Sequence, residues 1–185
     1  MGRVVYSMSV SLDGFAADAD GSIDWVIVDD ELHEAFNDEA RQAGAFLYGR
    51  RMYELMVGYW PKAEADPTST PVERDFARIW RDMPKLVASR SLAEPAWGVK
   101  RIEGDVVDEV ARLRSGLDGD IGIGGPTLAA TLLRAGLVDD IRLYVNPVVL
   151  GSGLPFFPAG LRVDLRLVGE RRFAAGVVLL RYASA

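Results

Sequence analysis

Two periods alternate along this chain. Residues 3–12, rich in Val, Met and Ser, predict a first, buried strand. A polar loop follows over residues 13–21, marked by Asp13-Gly14 and Asp20-Gly21 as turn signals. The period then becomes helical: Leu32, Phe36 and Ala40 recur every four residues behind a capping Asp29 or Asp30, which predicts a helix to about residue 43. Residues 45–48 form a short strand ending at Gly49, and a helix begins at about Arg50 and runs toward Tyr59. Residues 61–71 are polar with three prolines and predict a surface loop, with a short helix over residues 73–82.

Residues 85–89 and 98–102 predict strands, and residues 106–114 the helix between the latter and a strand at 121–123. Leu128, Leu132, Leu133 and Ala135 build an amphipathic helix that stops near Gly136. The remainder is all strand, over residues 140–150, 164–173 and 176–182. Strands alternating with helices, then a terminal hairpin, define an α/β fold: a mixed, mostly parallel sheet flanked by helices. With no repeat, low-complexity tract or linker, residues 1–185 are expected to form one domain.

Composition narrows the chemistry. A net charge of −6 speaks against a general nucleic-acid binder, although Arg50-Arg51 and Arg171-Arg172 are local basic pairs suited to one anionic ligand. The absence of cysteine excludes disulfides, thiolate catalysis and cysteine-ligated zinc. His33 is the one histidine, expected on the wet side of its helix, and no Gly-x-Ser-x-Gly elbow accompanies it, so a serine hydrolase is not supported. The acidic stretch at residues 18–24 lacks the spacing of a calcium loop, and no metal is expected. Without a transmembrane-length apolar run or the shape of a signal peptide, the chain is expected in the cytoplasm, away from membranes.

The most informative segment is Asp120-Ile-Gly-Ile-Gly-Gly-Pro-Thr-Leu128, a strand that passes through paired glycines into a helix. Such a turn, with helix N–H groups aimed at it, suits a pyrophosphate. In an open α/β sheet, ligands gather at the C-terminal ends of parallel strands. Two further strand ends deliver Gly49-Arg50-Arg51 and Ser89-Arg90, and guanidinium groups pair with phosphate in bidentate fashion. An ordinary Rossmann fingerprint is excluded, because Thr127 stands where the third glycine belongs and no acidic residue ends the next strand.

Five blocks in order carry a resemblance: Ser9-Val-Ser-Leu-Asp-Gly-Phe15, Leu47-Tyr-Gly-Arg-Arg-Met-Tyr-Glu54, Ser89-Arg90, Ile123-Gly-Gly-Pro-Thr127 and Asn146-Pro-Val-Val-Leu-Gly-Ser-Gly-Leu-Pro-Phe156. Over nearly its whole length the chain resembles the dihydrofolate reductase-like family, in the branch similar to the reductase domain of riboflavin biosynthesis. That resemblance implies a central sheet of about eight strands, a homodimer and NADPH as hydride donor. It places Gly49, Arg50 and Arg51 at the adenosine end, Ser89 and Arg90 at the 2′-phosphate, and Gly124, Gly125, Pro126 and Thr127 at the pyrophosphate. Asp13, Gly14 and Phe15 would lie beside the nicotinamide, and the loop carrying Gly153, Leu154 and Pro155 would wall the substrate pocket. The riboflavin enzyme is usually fused to a zinc deaminase, for which this chain has neither length nor cysteines. For the folate enzyme's helix carboxylate the candidates are Glu31, Glu34, Asp38 and Glu39, with none singled out.

The resulting expectation is NADPH-dependent reduction of a C=N or C=O bond in a small heterocyclic, ribosylamino-pyrimidine or pterin-like metabolite. Asp13 is the nominated proton donor, directly or through a water. Its plain alternative is an Asp-Gly turn pair. A non-catalytic nucleotide- or flavin-binding module on the same fold is the competing expectation, and a structural dimer with glycines serving only as turns stands behind both. Tyr59, Trp60 and Trp80 are candidates for the pocket lining or a dimer surface, but aromatic residues at helix ends read first as core or interface, and no substrate role is assigned to them.

Overall fold

A computed structural model describes residues 2–185. In chain order the elements are β1 (Val4–Ser11), β2 (Phe15–Ala17), α1 (Asp30–Gln42), β3 (Ala43–Gly49), α2 (Arg50–Ala63), α3 (Pro71–Asp82), β4 (Lys85–Ala88) and β5 (Lys100–Arg101). They continue with α4 (Val106–Gly116), β6 (Asp120–Gly124), α5 (Pro126–Arg134), β7 (Asp140–Asn146), β8 (Leu154–Pro155), β9 (Leu165–Arg172) and β10 (Val178–Ser184). Eight strands make one sheet in the order β5-β4-β3-β6-β1-β7-β10-β9, while β2 and β8 pair separately as an antiparallel ribbon. From β5 to β7 all neighbours are parallel; β10 runs antiparallel to both β7 and β9. The mixed, mostly parallel sheet and the closing hairpin are those the sequence predicts.

Alternation along the strands sorts the core into two layers. Val4, Tyr6 and Val10 of β1 pack with Ile121, Ile123 and Leu47 against α5, whose Leu128, Leu132 and Leu133 supply the facing stripe, and against Val110 of α4. Each such fully buried Leu or Val stabilises by about 1.5–3 kcal/mol. Helices α1 and α3 meet near α2, where Phe76 and Trp80 are buried and Trp80 Nε1 donates to the Tyr48 hydroxyl at 3.1 Å.

Four local features differ from expectation. Helix α2 continues through Pro61 to Ala63 rather than giving way to loop. Helix α3 starts two residues early, because Pro71 occupies the first turn and Thr70 with Glu73 closes a capping box. Strand β7 ends at Asn146, whose side chain turns back to accept the Ile27 N–H at 2.9 Å. His33 is only partly exposed: its ring lies edge-on to Trp60, Phe76 and Phe36, with Nδ1 3.2 Å from Asn37 Oδ1.

Candidate active site

The parallel strands β1, β3, β4 and β6 end on one edge, and a cleft of about 1020 Å³ opens there. Helices α2 and α5 both start at this cleft, and each is preceded by glycine: Gly49 before α2 and Gly125 before α5. Neither glycine can cap its helix with a side chain. By contrast, α1, α3 and α4 are capped by Asp29, Thr70 and Asp105. Uncapped first-turn N–H groups carry partial positive charge and accept an anion readily. The two helices left open are the two that begin with the predicted glycine motifs.

The paired glycines differ in what they require. A Cβ on Gly124 would stand 2.7 Å from Met52 Cγ and 2.9 Å from Tyr48 Cδ1, so close packing demands its absence. Gly125 has ordinary room but a φ of +110°, which side-chain-bearing residues rarely adopt. Gly125, Pro126 and Thr127 line the cleft; Gly124 lines a smaller neighbouring cavity of about 190 Å³.

Opposite the glycine turn, Gly49, Arg50, Arg51, Ser89 and Arg90 all line the same cleft. Arg50 Nε pairs with Glu54 at 2.7 Å and Nη1 donates to Ser91 Oγ at 2.8 Å, which holds the guanidinium at the start of α2. Arg51 donates to the Gly21 carbonyl across the mouth. Ser89 Oγ accepts the Leu92 N–H at 3.1 Å, closing a turn that presents the exposed Arg90 at the rim. Three arginines and two open helix starts therefore concentrate positive potential in one place on an acidic chain.

The residues expected around nicotinamide and substrate are distributed differently. Of Gly14, Phe15, Gly153, Leu154 and Pro155, Leu154 lines the cleft; Phe15 and Pro155 pair in the β2–β8 ribbon, and Ala16 and Ala17 are its other lining residues. Asp13 is not among the lining residues. Its carboxylate accepts the Ser11 hydroxyl at 2.7 Å, the Leu150 N–H at 3.1 Å and the Gly151 N–H at 2.7 Å, so it ties the loop after β1 to the loop after β7. The Ser11 hydroxyl, helped by those N–H groups, holds the Asp13 carboxyl below the usual carboxylate range.

Among the four helix carboxylates considered, Glu39 turns inward, but toward the smaller cavity. It accepts from Ser7 Oγ at 2.9 Å and the Tyr144 hydroxyl at 2.6 Å, and pairs with Arg142 at 3.2 Å. Glu31 is engaged by Arg171 and the Ala174 N–H. No group of three metal-binding side chains occurs among the described residues, nor any helix long and apolar enough to cross a membrane.

Of one further wall the sequence singles out only Tyr59 and Trp60, as candidates for the pocket or a dimer surface. Met52, Leu55, Met56 and Tyr59 line the cleft from α2, joined by Trp60, with Met8 from β1 and Ile23 from the loop after β2. The i, i+3, i+4, i+7 spacing in α2 was the available signal, and it reads equally as a core stripe. Leu55 and Tyr59 are each 47% exposed, while Met56 and Trp60 also pack against Phe76 and Trp80 of α3 and the Tyr59 hydroxyl donates to Glu73, so the stripe is shared between the cleft and α3. Trp80, by contrast, is core as expected.

The fold is that of the dihydrofolate reductases. The dihydrofolate reductase of Enterococcus faecalis superposes with a TM-score of 0.69 over 99% of this chain and 96% of its own, at 14% identity. The chain belongs to the RibD C-terminal domain family, whose pattern matches residues 3–179. It is 35% identical to the uncharacterized protein YyaP of Bacillus subtilis over 97% of this chain and 94% of that protein. The riboflavin biosynthesis protein RibD of Mycobacterium tuberculosis is 28% identical over 81% of the chain, which spans only 43% of that longer protein. A riboflavin biosynthesis protein from Shewanella superposes with a TM-score of 0.78 over 100% of this chain and 99% of its own, at 20% identity.

Proposed function

We propose that the protein is an NADPH-dependent reductase of a small heterocyclic metabolite, with a cytoplasmic homodimer as its working form. The observation that carries this reading is the pair of helix starts without side-chain caps, at Gly49 and Gly125, opening into one cleft beside Arg50, Arg51 and Arg90. A phosphate-rich ligand satisfies both features at once. Membership in the RibD C-terminal domain family supports the same ligand, as does the likeness in fold to a deaminase/5-amino-6-(5-phosphoribosylamino)uracil reductase and to a dihydrofolate reductase complexed with NADP(H). The N–H groups of Thr127 and the first turn of α5 would take the pyrophosphate; Ser89, Arg90 and Arg50 would take the 2′-phosphate. Once bound, the reduced dinucleotide supplies the hydride. The apolar wall of α2 and the β2–β8 ribbon keep water from the acceptor and fix its plane. Asp13 acts by holding the two loops that carry the ribbon, a positioning role.

Calorimetric titration with NADPH and NADH at moderate salt tests the reading. Binding of NADPH at least tenfold tighter than NADH is expected, since charge-assisted contacts to the 2′-phosphate are absent from NADH. Failure of both to bind removes the reductase assignment. A second reading, a dinucleotide-binding module without turnover, draws on one observation: Asp105 is the sole acidic lining residue, and its carboxylate caps α4. Consumption of NADPH with a reducible acceptor separates the two, with solvent as proton source in the first. Sedimentation checks the homodimer, which a monomer mass would remove.

A further inference from the structure

We propose that one face of the strands β7, β10 and β9 is the seat of a second copy of this chain. This deepens the homodimer of the proposed function and rests on it. Across the β7–β10 pair, Ile141, Leu143 and Val145 stand opposite Tyr182, Leu180 and Val178, and residues directly opposite share one face of a sheet. Through the β1–β7 pairing this is the face on which Tyr6 and Val10 enter the main core. Ile141 is buried, but the other five side chains of the two rows are only half-buried. On the opposite face Tyr144 and Leu179 are sealed under α1 with Leu32 and Ala35. On this one, Val178 and Leu180 join none of the buried apolar clusters.

Strand β9 completes the face and supplies its charges. Leu167, 49% exposed, stands opposite Tyr182, while Glu170 stands opposite Leu180 and Arg172 opposite Val178. A register shift leaves Val168 as an extra residue, which brings Leu167 and Glu170 onto one face although they are three residues apart. Glu170 and Arg172 are exposed, and among the described residues neither has an ion-pair partner, whereas Arg171 and Arg181 of the opposite face are paired with Glu31 and Asp140. A carboxylate and a guanidinium two residues apart on one face match themselves in a copy related by a two-fold axis that runs in the interface between them. Glu170 of each copy then meets Arg172 of the other. One acid and one base beside an apolar patch leave no net charge to attract a nucleic acid or an anionic membrane, and suit the apolar centre of a homodimer interface. The bulge and the run Glu170-Arg171-Arg172 blunt the outer edge of β9, so the copy packs on the face instead of extending the sheet.

Analytical ultracentrifugation over a wide concentration range is run first on the unaltered protein; a monomer mass throughout removes the homodimer reading and this inference with it. Two single variants then locate the interface, each shown to be folded by circular dichroism. Leu167→Asp, at a half-exposed position that tolerates a charge, is expected to weaken the dimer at least tenfold. Glu170→Arg, which sets like charges against each other across the two-fold axis, is expected to do the same. Adding Arg172→Glu to Glu170→Arg restores opposite charges and should return the dissociation constant to within a factor of three of the unaltered protein. A dimer of unchanged strength in either single variant overturns the placement on this face while leaving the homodimer standing. A double variant no stronger than Glu170→Arg alone overturns the pairing of Glu170 with Arg172.

Discussion

At the residue scale, adjacent glycines at the end of β6 do different jobs, and their substitutions separate accordingly. Gly125→Ala places a side chain at a φ of +110°, which costs about 1–3 kcal/mol of stability; a urea titration measures the loss, and NADPH affinity is expected to fall with it. Gly124→Ala is strained differently, through contact with Met52 and Tyr48, so Met52→Ala should restore part of its stability. The motif nominates Asp13 as a proton donor, and its carboxylate is engaged three ways in a loop-to-loop tie. Asp13→Ala is expected to lower turnover at least tenfold with NADPH affinity unchanged within a factor of two. Asp13→Asn, which can keep one accepted bond, should recover part of that loss; a true proton donor would not be rescued. Lys85 is a further residue whose role no motif announces. Its ammonium is buried and donates to the carbonyls of Trp80, Arg81 and Met83, finishing the C-terminus of α3. Lys85→Met leaves those carbonyls without their donor and should cost about 2–4 kcal/mol, read from the urea midpoint.

At the element scale, legibility followed the length of the periodic signal. Helix α1 is legible because Asp29 stands before a long run of Leu32, Phe36 and Ala40 at helical spacing, and strands β3 and β6 because glycine ends each one. Two features escaped for a common reason, which is that nonlocal contacts decide them. The β2–β8 ribbon consists of three and two residues, too few to show alternation, and exists because loops from distant parts of the chain are tied together. Helix α2 passes Pro61 because Ala63 is buried and draws the chain through another turn, although proline removes one backbone donor. The cleft was half legible on the same grounds. Its glycine-turn side rests on glycine and arginine motifs with local meaning, while the α2 wall rests on ordinary Met, Leu and Tyr whose exposure only the tertiary arrangement reveals. The caps themselves are testable: Thr70→Ala breaks the box with Glu73 and should destabilise by about 1 kcal/mol, measured by thermal or urea unfolding.

At the scale of the whole molecule, charge is organised so that folding favours ionised carboxylates. Burial raises the Asp140 pKa, but the Arg142 and Arg181 guanidinium groups outweigh it and hold the carboxyl below its usual range. Asp120, desolvated but paired with Arg3, is lowered likewise, as are Asp13 by Ser11 and Glu31 by the Ala174 N–H and Arg171. A carboxyl whose folded pKa lies below its unfolded value stabilises the protein at pH above the unfolded value, and that contribution is lost as pH falls through the folded value. Tm should therefore stay nearly level from pH 8 to about pH 5 and drop steeply below about pH 4, where free Asp and Glu take up protons. A Tm that rises on acidification would contradict the ion-pair assignment.

The four tryptophans sit in four unlike surroundings, and that spread gives the chain an optical sensor of its own. Trp80 is sealed in the core, Trp97 stands out in water at 59% exposed, and Trp25 is anchored through Nε1 to the Ser22 carbonyl in the loop beside the cleft. Trp60 is the indole that lines the cleft itself. A reduced nicotinamide absorbs where indole emits, so its arrival should quench the Trp60 share of the emission and light up in exchange. In a Trp60→Phe protein the residual glow from the other three indoles should respond far less, leaving a colour change that reports occupancy without any attached dye.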